Sequence, residues 1–526
     1  MNHSKVSIFI IAAGAFIFNS IFWNEQLAVN TLLFDIFLIS SLLFLYPDAW
    51  QNKTVRYLLL AHLASLFALI VFNSLLSKWA FTITLLLLCA FSEYNHRSVW
   101  LAGGSMLLSF THFAGSLYRL LNNGSRAPKA KRPVARFIRF AIFPVLILFC
   151  FFIIYSNANT VFAAIARNIG AKTMLFFDTF FNVFSFERFL FLLLGFYLIG
   201  ALLLRAKYTW FEKIENKAKD NMRRIRKKRM DIRNNLLYDL TVGVMGKLAK
   251  GIMALKNEYK TGLISLILLN LLLLTINIID IDYLWIHFTY TPAIDLFTMI
   301  HEGTELLIFS IVLAMLVLLI FFRGNLNFYK KNKWLKAGAY VWLLQNSILV
   351  VSVFLRDYYY IREFGLAYKR IGVLFFLLLV IAGLASVFIK VRFAKTTYYL
   401  WRINAWCVVL LLVAGALVQW DTLIAKYNIS HRQTAPLNLP YLLTLSDRVL
   451  PILNENLPIL KEREKELNKQ GIHMGKCTDC IETIIDENRQ RYLENQGRYS
   501  WLSWNFADAG EVDYFKNKQV PVAVIK

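Results

Sequence analysis

Charge is the scarcest property of this chain. Asp, Glu, Lys and Arg make up 17% of its 526 residues, against about 25% in soluble globular proteins. That shortage excludes a soluble enzyme and a disordered chain. Five cysteines are too few for a disulfide scaffold. Ten prolines are present, and only Pro144 falls inside an apolar block. The chain therefore lacks the paired, broken helices that mark many transporters. GxxxxGK[ST], GxGxxG and GxSxG patterns are missing, which argues against ATP-driven pumping.

What remains is apolar: 58% of the residues are hydrophobic, and the mean hydropathy is +0.50. Such an excess over the usual apolar share of about 45–50% cannot be packed into ordinary cores. It falls in long uncharged blocks, and a bilayer-spanning helix needs roughly 20 such residues. Twelve blocks qualify or nearly so: 6–23, 27–46, 56–77, 79–93, 99–120, 137–156, 187–205, 261–279, 301–322, 335–355, 369–391 and 400–419. The pattern predicts an all-α, polytopic transmembrane helix bundle of about twelve spans with a small helical C-terminal extramembrane tail. Its parts are N-terminal spans over 1–205, a basic amphipathic segment over 206–256, C-terminal spans over 257–419 and the tail over 420–526. The block at 79–93 is short and reads as crossing, tilted or re-entrant. The first block reads as a retained helix, because Asn19, Phe22, Trp23 and Asn24 make a poor cleavage site.

The net charge is +25. Its distribution follows membrane orientation rather than nucleic-acid binding. Residues 119–139 carry seven bases and no acid, and residues 205–260 carry sixteen bases and six acids. These stretches, the lysines after Arg323, and Lys390 to Arg402 alternate so as to lie on the cytoplasmic side. There they attract anionic lipid headgroups. Residues 280–300 lack Lys and Arg, and the tail balances fourteen bases with fourteen acids, which puts both outside. Residues 157–186, with Val161–Ile169, suit the outer interface.

Few polar residues interrupt the apolar blocks. His301, Glu302 and Glu305 open the ninth block. His301 and Glu305 share a helix face, but the HExxH zinc motif fails because its second His is Glu305. With His287 or Asp295 they would make a partial metal set; helix-start carboxylates favoured by the helix dipole are the plainer reading. Gln345 and Asn346 sit mid-block, where amides either bond another helix or line a solute path. Arg356, Asp357 and Arg362, within the strip Arg356 to Glu363, form an interfacial belt with three tyrosines. With Asp421 these residues make the candidate polar surface. Cys477 and Cys480 fit a local disulfide better than a half metal site, because no second CxxC is present. No cofactor is expected.

The run from His301 to Val373, with WDTLIAKYNI and WLSWNFADA further on, resembles a bacterial membrane family labelled domain of unknown function 4173, with 4153 as a close relative. The resemblance rests on His301, Glu302, Gly303, Gln345, Asn346, Arg356, Tyr360, Gly365, Arg370, Asp421, Tyr427, Asn428, Trp504 and Asn505. It covers about residues 260–510. It implies a multi-pass protein of a bacterial inner membrane and no catalytic residue. The expected role is a non-enzymatic sensor, scaffold or assembly component with a protein partner. An ion-coupled transporter comes second, and an intramembrane metal-dependent enzyme third.

Overall fold

The computed structural model describes residues 3–121, 148, 185–205, 209–223, 255–287, 296–322, 325–329, 331–470 and 480–517. The expected span at 137–156, the interfacial stretch at 157–186 and most of the basic segment, including MRRIRKKRMDIR, lie outside the described residues apart from Leu148 and the last two positions of 157–186. The regular structure of the described residues is all helical, with no named strand and a single isolated bridge between Asn221 and Lys395. Among the described residues seven helices are long and apolar enough to cross a membrane, and four shorter apolar helices accompany them. This is the helix set of a membrane protein.

The chain forms two compact units. The first comprises residues 1–26, 30–50 and 106–208. Its helices are α1 (His3–Phe22), α2 (Val29–Leu45), the end of α5 (Val99–Thr111), α6 (Phe113–Leu121) and α7 (Phe186–Leu203). Small residues let these helices approach closely. A Cβ on Gly14 would stand 2.7 Å from the Phe37 ring, and one on Gly195 2.7 Å from the Phe18 ring. Phe18 in turn stacks on Phe191 at 4.8 Å between centroids. The block expected at 99–120 is broken at His112, between α5 and α6.

The second unit holds residues 27–29, 51–105 and 209–526. It begins with the hairpin of α3 (Lys53–Phe72) and α4 (Leu75–Glu93). Asn52 and Ser74 cap the two starts, and Asn73 ends α3 in the left-handed region at φ 44°. α4 is 19 residues long. The segment expected as short is therefore long enough to cross. After α8 (Trp210–Lys217) come α9 (Leu255–Asp280), α10 (Leu296–Phe321), α11 (Lys333–Phe364), α12 (Tyr368–Phe393) and α13 (Thr397–Ala416). Leu266, Phe322, Trp342, Val353 and Leu384 belong to the core that joins α9 to α12.

α11 runs 32 residues, well past the expected end at 355. The strip Arg356 to Glu363 is thus its last two turns. After Gly338 no Gly or Pro occurs until Gly365, whose φ of 80° ends the helix. The tail contributes α14 (Trp420–Ser430), α15 (Leu439–Leu443), α16 (Leu450–Glu455), α17 (Leu457–Lys469), α18 (Cys480–Gly497) and α19 (Phe506–Asn517). Its core, with Ile424, Leu439, Leu453, Leu460 and Ile485, is continuous with Leu366 and Ile371 at the start of α12. The tail is therefore built onto the ends of α11 and α12.

Candidate functional site

The turn between α11 and α12 is where helix ends and tail meet, and it is held unusually firmly. Gly365 occupies a backbone conformation that L side chains avoid, and a Cβ there would lie 2.5 Å from Asn428 Oδ1. Asn428, on α14, uses both ends of its amide on the next residue. Its Oδ1 accepts from Leu366 N at 2.6 Å, and its Nδ2 donates to Leu366 O at 2.9 Å. Arg370 closes the turn from the other side. Its guanidinium donates to the Phe364 carbonyl at 2.9 Å and to the Gly365 carbonyl. It also lies over the Tyr360 ring, 4.2 Å from the centroid. Tyr368 N donates to the Tyr441 hydroxyl at 2.9 Å.

This turn walls a cavity of about 730 Å³, lined by α10, α11, α12, α14 and residues 435–441. The volume lies within the usual range for small-molecule sites, roughly 300–1,000 Å³. Ile308, Phe364, Leu366, Val373 and Leu437 supply an apolar lining. Asp357 projects into it from α11 and is 3% exposed. It makes no hydrogen bond to any described residue, and its buried Oδ2 is unpartnered. Arg370 attracts it electrostatically, but no direct ion pair joins the two. A buried carboxylate left this way costs several kcal/mol. A buried, unpartnered acid in a cavity is a candidate binding residue.

The remaining expected residues are dispersed. Arg356 points away from Asp357 and bonds Asp280 of α9 at 2.6 Å in a largely buried pair. Gln345 Nε2 donates to Asn270 Oδ1 at 3.3 Å, and Asn277 Nδ2 donates to the Gln345 carbonyl at 3.1 Å. Asn346 Nδ2 donates back to the Trp342 carbonyl at 2.8 Å. Gln345 thus bonds across the α9–α11 contact, and Asn346 bonds within its own helix. Arg362 pairs with its neighbour Glu363 at 2.8 Å. Asp421 accepts from Tyr368 Oη at 2.8 Å and from Ser446 Oγ at 2.6 Å, beside the cavity but not lining it. His287 pairs with Asp282 of its own turn at 3.2 Å in an exposed position. The side chains of His301, Glu302 and Glu305 lie outside the described residues, as do Asp295 and Cys477. Among the described residues no three His, Cys, Asp or Glu gather as a metal set. Cys480 is buried and disulfide-bonded; the pairing expected with Cys477 lies outside the described residues.

Two polar clusters have no signal in the sequence. Glu215 of α8 is buried and takes hydrogen bonds from the Arg97 and Ser98 amides at 2.9 and 2.7 Å and from the Tyr398 hydroxyl. It also pairs with His96 Nδ1 at 2.5 Å, while His96 Nε2 meets Ser105 Oγ at 2.7 Å. Burial pushes the Glu215 carboxyl up, but the bonds from His96, Tyr398 and Arg97 outweigh it and hold it below the ordinary carboxylate value. In the tail, Glu511 is buried near Tyr492, Asp508 and Arg448. Burial pushes its carboxyl up to about 7 against the partial compensation of Tyr492 and Arg448. Both clusters join residues far apart in the chain, so no local spacing announces them.

Of the residues that carry the family resemblance, Tyr360, Gly365, Arg370 and Asn428 line the cavity, and Asp421 braces it. The model of a family described as a domain of unknown function (DUF4153) matches residues 6–456. The match begins far earlier than the resemblance over 260–510 and ends before Trp504 and Asn505. No curated protein and no solved structure matches the chain. Since the matched stretch takes in the membrane helices and the first part of the tail, the chain belongs to the DUF4153 family.

Proposed function

We propose that this is a non-enzymatic binding component of a bacterial inner membrane, a sensor that takes a small amphiphilic ligand in the Asp357 cavity. The observation that carries this reading is Asp357 itself, a buried carboxylate with no hydrogen bond to any described residue, in a cavity that also has an apolar wall. One wall of that cavity is the turn over residues 365–368, which the tail holds through Asn428 on Leu366 and Tyr441 on Tyr368. Filling the cavity therefore acts on the contact between helix ends and tail, which is how occupancy would reach a protein partner. Anionic headgroups at the basic loops would anchor the other ends of the helices.

The test uses the purified full chain and a dansyl-labelled long-chain alkylamine, followed by energy transfer from tryptophan. The expected result is saturable binding that Asp357→Asn weakens about 10-fold or more, as loss of a charged partner should. Leu437→Trp, which fills the cavity, should weaken it too. Binding indifferent to both substitutions contradicts the reading.

A further inference from the structure

The cavity offers more than one charge, and their arrangement narrows the ligand. Asp357 is buried among the apolar side chains of the helices. Arg370 is half-buried and Lys369 exposed, both on the rim and both lining the same cavity. One guanidinium nitrogen of Arg370 is spent on the turn carbonyls. Its Nε and second terminal nitrogen bond to no described residue, so they are open to an acceptor. Carboxylate and guanidinium share one space without meeting. The group that satisfies both carries a hydrogen-bond donor of positive charge at one end and an anion at the other. Neither a simple amine nor a simple anion does this. An amine leaves Arg370 and Lys369 unanswered, and an anion is repelled by Asp357.

Resting on the binding reading above, we propose that the ligand is an ammonium–phosphate zwitterion, its ammonium on Asp357 and its phosphate on Arg370 and Lys369. A phosphate suits a guanidinium fork flanked by a lysine. This chemistry is shared by an ethanolamine-phosphate lipid headgroup and by free phosphoethanolamine. Ile308 and Val373 give the same cavity an apolar wall, which suits the carbon portion of such a ligand.

Native mass spectrometry of the detergent-purified full chain tests this, with phosphatidylethanolamine and phosphatidylglycerol as competing probes. The expected result is a preference for the ethanolamine lipid of about 10-fold or more. Asp357→Asn should abolish that preference, and Lys369→Gln should weaken it. Arg370 also clamps the turn, so its variants are left aside. Displacement by soluble O-phosphoethanolamine supports the free zwitterion as ligand. A preference retained against that competitor supports the lipid. Equal binding of the two lipids, or a preference that survives Asp357→Asn, overturns the proposal. If the dansyl amine still binds in an Asp357-dependent way, only the ligand class fails; if it does not, the binding reading falls as well.

Discussion

At the scale of single residues, the chain places its buried acids in two opposite situations. Glu215 is surrounded by donors and held ionised, so its network stabilises the fold above the ordinary carboxylate value of 4.5 and fades as pH falls through its lowered one. Glu511 is the reverse. Its Oε2 is buried without a partner, and its carboxyl is raised from 4.5 to about 7. Between those values the folded chain holds a proton that the unfolded chain has released. Stability therefore declines as pH rises from about 4.5 to about 7 and is flat beyond. Glu511→Gln keeps the neutral shape and removes this penalty. Thermal unfolding should find the variant more stable than the parent at pH 8, by about 3 kcal/mol at most, and indistinguishable at pH 4. A variant less stable at pH 8 would mean that the ionised Glu511 is paired after all.

At the scale of elements, the decisive piece is the turn from α11 to α12. Gly365 is required there by its positive φ and by the closeness of Asn428. Gly365→Ala should cost about 1–3 kcal/mol in thermal unfolding and weaken binding of the dansyl amine. Gly510, in helix α19 with nothing within 4 Å of a built Cβ, is the control. There the same change should be neutral or slightly stabilising, because alanine favours a helix. Equal losses at both positions would remove the argument for a strained, tail-clamped turn. The helices were largely legible in the sequence, because long uncharged blocks have few alternatives. Their ends were not. Arg356 and Asp357 read as a surface strip because they are charged, yet the helix runs on past them to Phe364. Adjacent on the chain, they lie about 100° apart around the helix, which sends Arg356 to Asp280 and Asp357 into the cavity.

At the scale of the whole chain, the candidate site was legible only in part. Gln345 and Asn346 stood out as amides within an apolar block, and Arg356 and Asp357 as charges of an interfacial strip; among the described residues the structure finds hydrogen-bond partners for all but Asp357. That distinction depends on contacts between distant segments, which no periodicity encodes. Arg370, Asn428 and Tyr441 approach Asp357 only because the tail packs on the ends of α11 and α12. Glu215 and His96 are likewise separated by 119 residues.

The central claim is that the Asp357 cavity is a binding site. Photo-crosslinking with a diazirine-bearing long-chain alkylamine, mapped by peptide mass spectrometry, tests it most directly. The account predicts saturable labelling concentrated on residues 364–373 and 435–441, lost in Asp357→Asn while general labelling of the apolar helices persists. Labelling spread evenly over the exposed helix faces, and unchanged by that substitution, would contradict it.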